Sequence, residues 1–270
     1  MNKRLDNLFF KSNKMLIDKS SKIVLMSDCH RGIADKNDNF LKNESIYIKA
    51  LDYYYNNNFT YIELGDGDEL WEVKDYHDIV NKHLDTFKYL KKFYLSNRFI
   101  MIYGNHDLEK KNKPLNFLLE DLNVIESLIL TYQDMDIFLI HGHQVDFINN
   151  ELWYISRFLV RNIWKYLERL GIKHPVRPLK TYKPTNVVEK KLTKWSRKRN
   201  KIIIAGHTHK PIFPNSNDMY FNDGSCIYKT GITSIEIENG MISLVKWEVE
   251  NEKVIKNVIE GPKKIIDYYK

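Results

Sequence analysis

The stretch Arg98-Phe99-Ile100-Met101-Ile102-Tyr103-Gly104-Asn105-His106-Asp107 decides how the rest of the chain reads. Residues 98–103 are rich in β-formers and predict a short buried strand. Gly104 lets the backbone turn sharply. Asn105, His106 and Asp107 then emerge together at the strand's end. In open α/β sheets, ligands bind beyond the carboxyl ends of the strands.

The pattern recurs on both sides of this stretch. Upstream, the apolar run Lys22–Met26 ends in Ser27-Asp28-Cys29-His30-Arg31-Gly32, and Thr60–Leu64 leads into Gly65-Asp66-Gly67-Asp68-Glu69. Residues 40–57 predict a helix with Leu41, Ser45, Ile48 and Asp52 at helical spacing. Residues 75–96 predict one long helix with Ile79, Leu84, Phe87 and Leu90 in the core. Strand alternating with helix is the signature of a parallel, βαβ-built sheet and an α/β fold.

Downstream, a short helix is expected near 114–121, then strands over Val124–Thr131 and Met135–Ile140. The second ends at His141-Gly142-His143-Gln144-Val145-Asp146. Residues 150–200 read as helical. Lys201–Ala205 is a further buried strand, ending in Gly206-His207-Thr208-His209. The last part is β: Met219–Asn222, Ile232–Glu238 and Met241–Glu248, with Asn239-Gly240 as a hairpin turn. We read one domain over 1–270, carrying a helical insert at about 147–200.

Composition sets the outer bounds. Hydrophobic residues are 43% and charged residues 29% of the 270, ordinary for a globular protein, so disorder is not the default expectation. No apolar run approaches the ~20 residues of a membrane span. Met1–Asp6 lacks the apolar core of a secretory signal, and Cys29 and Cys226 are the only cysteines. A reducing cytoplasm is therefore expected, with both thiols in structural positions. The net charge of +7 favours anionic partners: phosphates, nucleic acid or an anionic membrane surface.

Five strand ends thus carry Asp28/His30, Asp66, Asn105/His106, His141/His143 and His207/His209. Six of the nine histidines sit at these tips. Any one pair is an ordinary polar loop; the conjunction is not. The mixed nitrogen–oxygen donor set suits Mn²⁺, Fe or Zn²⁺ and is too rich in imidazole for Ca²⁺ or Mg²⁺. There are too many donors for one ion, and two divalent ions bridged by a carboxylate would use them all.

These blocks, together with Tyr220-Phe221-Asn222-Asp223-Gly224-Ser225, resemble the signature segments of the calcineurin-like metallophosphoesterases. The resemblance runs from 27 to 209 and implies a four-layer α-β-β-α sandwich with two central mixed sheets. It implies Asp28, His30 and His209 on one ion, Asn105, His141 and His207 on the other, and Asp66 between them. Such a pair of ions lowers the pKa of a shared water, so that hydroxide attacks phosphorus in line. His106 then resembles the residue that protonates the leaving group. Glu69 stands where many relatives have Asp, so Glu69, Asp68 or Asp107 is expected to orient His106. His143 and Arg31 are expected near substrate, with support of the metal ligands as the other role for His143. Cys29 reads as a spacer pointing into the sheet.

The expected insert has its own character. From Val145 to Lys201 there are 15 Lys+Arg against 4 Asp+Glu, a net +11, so the rest of the chain carries −4. Leu152, Ile155, Leu159, Ile163, Tyr166 and Leu170 form an apolar helix face. Arg157, Arg161, Lys165 and Arg169 form a basic stripe beside it. Three roles fit: a solvated face, a lid offering Arg157 and Arg161 to an anionic substrate, or contact with an anionic membrane. Thr185 is expected to cap a helix running to Arg199. Asp146, Glu69 and the insert resemble the UDP-2,3-diacylglucosamine hydrolase branch, which usually has Arg where this chain has His106. The expected activity is a metal-dependent phosphodiester, phosphomonoester or pyrophosphate hydrolase. The alternatives are that pyrophosphohydrolase, a nuclease using the basic insert, and a scaffold without chemistry.

Overall fold

The computed structural model describes residues 3–112, 119, 122–146, 182–215 and 218–269. Two mixed sheets form its centre. The larger has seven strands: β2 (Lys22–Met26), β3 (Thr60–Leu64), β4 (Phe99–Ile102), β5 (Val124–Ile125), β10 (Ile232–Glu238), β11 (Met241–Glu250) and β12 (Lys253–Lys264). Their order is β12-β11-β10-β2-β3-β4-β5. Strands β2 to β5 run parallel; β10 pairs antiparallel with β2 and starts an antiparallel meander. The smaller sheet is β1 (Asn13–Ile17), β6 (Ser127–Tyr132), β7 (Met135–Ile140), β8 (Ile202–Ala205) and β9 (Tyr220–Asn222), in the order β1-β6-β7-β8-β9.

Three apolar layers hold these sheets in a sandwich. Ile23 and Leu25 of β2 point toward the other sheet and pack with Leu130, Leu139 and Ile204. Val24 and Met26, on the opposite face, pack with Tyr47 and Leu51 of α2 (Glu44–Asn56) and Phe87 and Leu90 of α4 (Leu84–Leu95). Beyond the smaller sheet, Ile129, Phe138 and Ile203 meet Leu5 of α1 (Lys3–Lys11) and Leu192 and Trp195 of α5 (Tyr182–Arg199). The period-two alternation along each strand thus feeds two cores at once. The result is the expected α-β-β-α arrangement. No helix among the described residues is long and apolar enough to cross a membrane.

Several local expectations change. The helix expected over 75–96 is two, α3 (Tyr76–Lys82) and α4, broken at His83; Leu84 is exposed, not core. Helix α2 buries Tyr47, Ala50, Leu51 and Tyr54 in place of the face through Leu41 and Ser45. The strand expected over 124–131 divides at Glu126, and its two halves join different sheets. Helix α5 starts at Tyr182, so Thr185 is not its cap and Pro184 lies in the first turn, where its missing N–H costs nothing. Strands β1 and β12 and helix α1 were not anticipated. The Asn239-Gly240 turn is as expected: Glu238 pairs with Met241 and both turn residues have positive φ (55° and 71°). The insert's residues 147–181, with the apolar and basic stripes and Arg157 and Arg161, and most of the short helix near 114–121 lie outside the described residues.

Candidate metal centre

Strands β2, β3 and β4 of one sheet and β7 and β8 of the other end at the same edge of the sandwich. Their following loops are stitched by backbone hydrogen bonds: Asp28 N–H to Gly65 O (3.0 Å), His30 N–H to Asp66 O (2.9 Å) and Gly206 N–H to His141 O (2.9 Å). Asp28, His30, Asp66, His207 and His209 all adopt left-handed backbone, φ 49° to 67°. Non-glycine residues pay roughly 1–3 kcal/mol for such conformations, which persist where the surroundings over-determine them. Here the sharp turns aim successive side chains into one space. Gly65 is required for a related reason: a Cβ there would lie 2.5 Å from His141 Nδ1.

Two donor groups result. Asp28, His30 and His209 form the first, with His209 Nε2 3.0 Å from Asp28 Oδ1 and 3.2 Å from His30 Nε2. Asp66, His141 and His207 form the second, with His141 Nε2 3.1 Å from Asp66 Oδ2. Hydrogen bonds fix the rings. His141 Nδ1–H donates to Leu64 O (2.9 Å), and His30 Nδ1 pairs with Glu69 Oε2 (2.8 Å), leaving each Nε2 to face inward. Asp28 Oδ1, Asn105 Oδ1 and His141 Nε2 are buried without any hydrogen bond among the described residues. Lone pairs that converge on common points while making no bond with one another are what a cation site requires. The donors therefore fit divalent cations, and Asn105 Oδ1 is a further unpaired donor on the loop that His106 N–H ties to Asp66.

Electrostatics favour cations here. Burial alone would raise Asp28, yet His209 and His141 hold it well below the ordinary range. Burial alone would lower His141, yet Asp66 and Asp28 push it up to about 9. A metal ion competes for the same lone pair that takes this proton. Two other acidic groupings are already satisfied. Glu63, Asp68 and Asp107 are occupied by Arg31 and Lys110. Glu69 is occupied by two histidines, His30 and His106.

Of the remaining residues singled out in the sequence, His106 lies beside the two groups and Glu69 is the carboxylate that orients it, at 2.6 Å from Nδ1. Asp107 instead accepts the Gly104 and Gly67 N–H groups. Asp146 Oδ2 is 3.3 Å from His207 Nε2. His143 is buried next to His141, and burial with the neighbouring His141 and His207 holds it neutral. Cys29 and Cys226 are both buried thiols. The expectation for Arg31 is corrected. Its guanidinium is 0% exposed and bound to Glu63 and Asp68, so it cannot reach a substrate. Trp71 was missed. It stacks on His106 and donates Nε1–H to Asn105 O (2.7 Å). Its place two residues after Glu69 was the available signal.

Comparison with curated proteins finds no match. Similar solved structures include vacuolar protein sorting 29 from Cryptosporidium parvum, at 13% identity and TM-score 0.46, covering 91% of this chain and 100% of that one. A conserved uncharacterised protein from Streptococcus pneumoniae, described as a predicted phosphoesterase, has 14% identity and TM-score 0.39, covering 88% and 97%. A cold-active protein-tyrosine phosphatase from a Shewanella species has 14% identity and TM-score 0.44, covering 92% and 83%. At these scores none of the three bears on activity. The profile of the calcineurin-like phosphoesterases matches residues 21–211, which spans all five strand-end motifs. With that match and two buried donor groups at the sheet edge, the chain belongs to the calcineurin-like phosphoesterases, a family of metal-dependent phosphoester hydrolases.

Proposed function

We propose that this chain is a two-metal hydrolase of phosphate esters or phosphoanhydrides. The position of Asp66 carries the reading. Its Oδ2 is 3.1 Å from His141 Nε2 and 3.8 Å from His30 Nε2, so one carboxylate faces both donor groups. Asp28, His30 and His209 would hold one cation, Asn105, His141 and His207 the other, with Asp66 shared. The mixed donor set favours Mn²⁺, with Fe or Zn²⁺ next. When bound, the cations supply Lewis acidity, lowering the pKa of water and neutralising phosphoryl charge.

The chain's own residues supply orientation and proton transfer. The His106 ring is fixed at Nδ1 by Glu69 and on one face by Trp71. That leaves Nε2 as the edge able to give a proton to a leaving-group oxygen. His106 is 22% exposed at its side chain, whereas Asp28, Asp66 and His141 are at most 2% exposed. The proton donor thus stands at the mouth and the ligands at the floor.

The test is turnover by Mn²⁺-loaded protein on phosphomonoesters, phosphodiesters, nucleotide pyrophosphates, UDP-sugar lipids and short DNA and RNA. Turnover on at least one class, abolished by chelation and restored by Mn²⁺, is expected. The class that reacts separates the pyrophosphohydrolase from the nuclease. Activity that survives chelation on every class, or stoichiometric metal with no turnover on any, would overturn the proposal.

A further inference from the structure

Behind the donor groups lies a second polar layer, almost wholly shielded from solvent. Arg31, Glu63, Asp68, Asp107 and Lys110 are all buried, the most exposed being Lys110 at 3%. Arg31 makes a fork with Glu63, Nη1 to Oε2 at 2.8 Å and Nη2 to Oε1 at 2.9 Å, and donates Nε–H to Asp68 Oδ1 at 2.6 Å. Lys110 Nζ sits 2.5 Å from Asp68 Oδ2 and 3.0 Å from Asp107 Oδ2. Asp107 in turn accepts Gly104 N–H at 2.7 Å and Gly67 N–H at 3.0 Å.

Three of the five lie on loops that carry the chemistry. Arg31 follows His30, Asp68 lies between Asp66 and Glu69, and Asp107 lies two residues after Asn105. Asp107 fastens the Asn105 loop to the Asp66 loop. Asp68, through Arg31, fastens the Asp66 loop to the His30 loop. Lys110 belongs to none of the motifs, yet among the described residues it alone forms an ion pair with both of these carboxylates. Buried ion pairs add little net stability over apolar residues of the same shape, so stability does not account for four of them in one cluster. Fixed direction does, because these contacts set where the loops carrying His30, Asp66 and Asn105 point, two of which turn through left-handed backbone at His30 and Asp66.

We propose that Lys110 is a positioning residue of the metal centre, the shared node that sets the spacing of the His30, Asp66 and Asn105 loops. The inference rests on those residues being metal ligands. Supporting contacts of this kind change metal affinity by about 10–100-fold when removed. Lys110→Met leaves Asp68 with Arg31 alone and Asp107 with no cation, so the ammonium that joins the two loops is lost and their spacing loosens.

The experiment is calorimetric titration of Mn²⁺ into metal-free wild type, Lys110→Met, Lys110→Arg and Asp107→Asn. Thermal melting of each protein and the electron paramagnetic resonance spectrum of the loaded forms accompany it. Asp107→Asn keeps the side chain's shape while spoiling the Gly67 and Lys110 contacts, and stands in if Lys110→Met does not fold. Wild type is expected to take two ions with a spin-coupled spectrum. Lys110→Met and Asp107→Asn are expected to bind at least one ion about tenfold more weakly and to lose that coupling, and Lys110→Arg to recover most of both. Variants that melt lower yet bind Mn²⁺ and couple like wild type would overturn the positioning role alone. A wild type that takes up no Mn²⁺ would overturn the two-metal reading, and this inference with it.

Discussion

Trp71 lies flat against the imidazole of His106, with ring centroids 4.0 Å apart and 19° between the planes. Its indole N–H reaches the backbone carbonyl of Asn105. One side chain therefore steadies both the proposed proton donor and the loop of a proposed ligand. An aromatic pair contributes about 0.5–1.5 kcal/mol and a neutral hydrogen bond a similar amount. If both act in the transition state, Trp71→Ala lowers kcat on the order of tenfold to a hundredfold. Trp71→Phe keeps the stack, loses the N–H donor, and costs only a few-fold by the same reckoning. Metal loss is expected to be smaller than the loss of rate in both, because the indole N–H holds Asn105 by its backbone carbonyl and not by its side chain. Steady-state rates on the best substrate check this, and wild-type kcat in Trp71→Ala would refute it.

Glu69 is shared between His106 and His30, with Oε1 2.6 Å from one Nδ1 and Oε2 2.8 Å from the other. A carboxylate can accept from both rings; a carboxamide cannot, because its NH₂ would face an N–H. Glu69→Gln should therefore weaken metal binding and rate together, by about 10–100-fold. His106→Ala should behave differently. It removes only the proton donor, so kcat falls about 10²–10⁴-fold with full metal content. Metal analysis beside kinetics separates the two. Equal metal loss in both variants would mean that His106 acts through the ligands and not on the leaving group.

The strand tips were legible because buried parallel strands are continuous apolar runs. Polar residues within two positions of Met26, Leu64, Tyr103, Ile140 and Ala205 could not belong to the same core. Which polar residue stays wet was not legible. Arg31 sits beside His30 in sequence, but packing turns it toward Glu63, a charge placed inside the buried strand Thr60–Leu64. That misplaced charge was a readable warning of a buried partner. Trp71 follows Leu70 and belongs to none of the five strand-end motifs, so only its place two residues after Glu69 pointed to the site. The division of 124–132 between two sheets leaves no periodic signal, since both halves are apolar. Strand β12 was hidden by Lys253, Lys256, Glu260 and Lys263, charges that suit an edge strand and mask its pattern.

Gly104 gives a steric prediction. A Cβ at this position would stand 2.1 Å from Asp66 Oδ1, the oxygen that accepts His106 N–H. Gly104→Ala must displace Asp66, the carboxylate proposed to serve both ions, or the whole Asn105 loop. A misplacement of ~1 Å can cost ~10²-fold in rate. The variant should fold, retain the sandwich, and bind less than the full complement of Mn²⁺. Circular dichroism with metal analysis tests this. Full metal content at wild-type rate would show that the two loops are looser than their contacts indicate.

His83, where the 75–96 helix breaks, gives a pH-dependent prediction away from the metal centre. Its Nε2 is 2.8 Å from Asp38 and its Nδ1 2.9 Å from Glu44, so both nitrogens face carboxylates, as only the charged ring can satisfy. Thr86 also donates to Glu44 (2.8 Å), and the Phe40 ring packs edge-on against the imidazole. Asp38 accepts the N–H groups of Ala34, Phe40 and Leu41, so His83 anchors the segment that follows the first strand-end motif. Burial alone would lower the pKa of His83, but Asp38 and Glu44 raise it from 6.5 to about 9. A raised folded-state pKa means that the native chain holds the proton more tightly than the unfolded one. The resulting stability, roughly 3 kcal/mol at most, is fully present below pH ~6.5 and is lost as pH rises through about 9. His83→Gln removes it at every pH. Wild type should therefore melt roughly 5–10 °C above the variant at pH 6, and the gap should close toward pH 9.5. A gap that stays constant from pH 6 to 9.5 would show that His83 supports the fold by shape and not by charge.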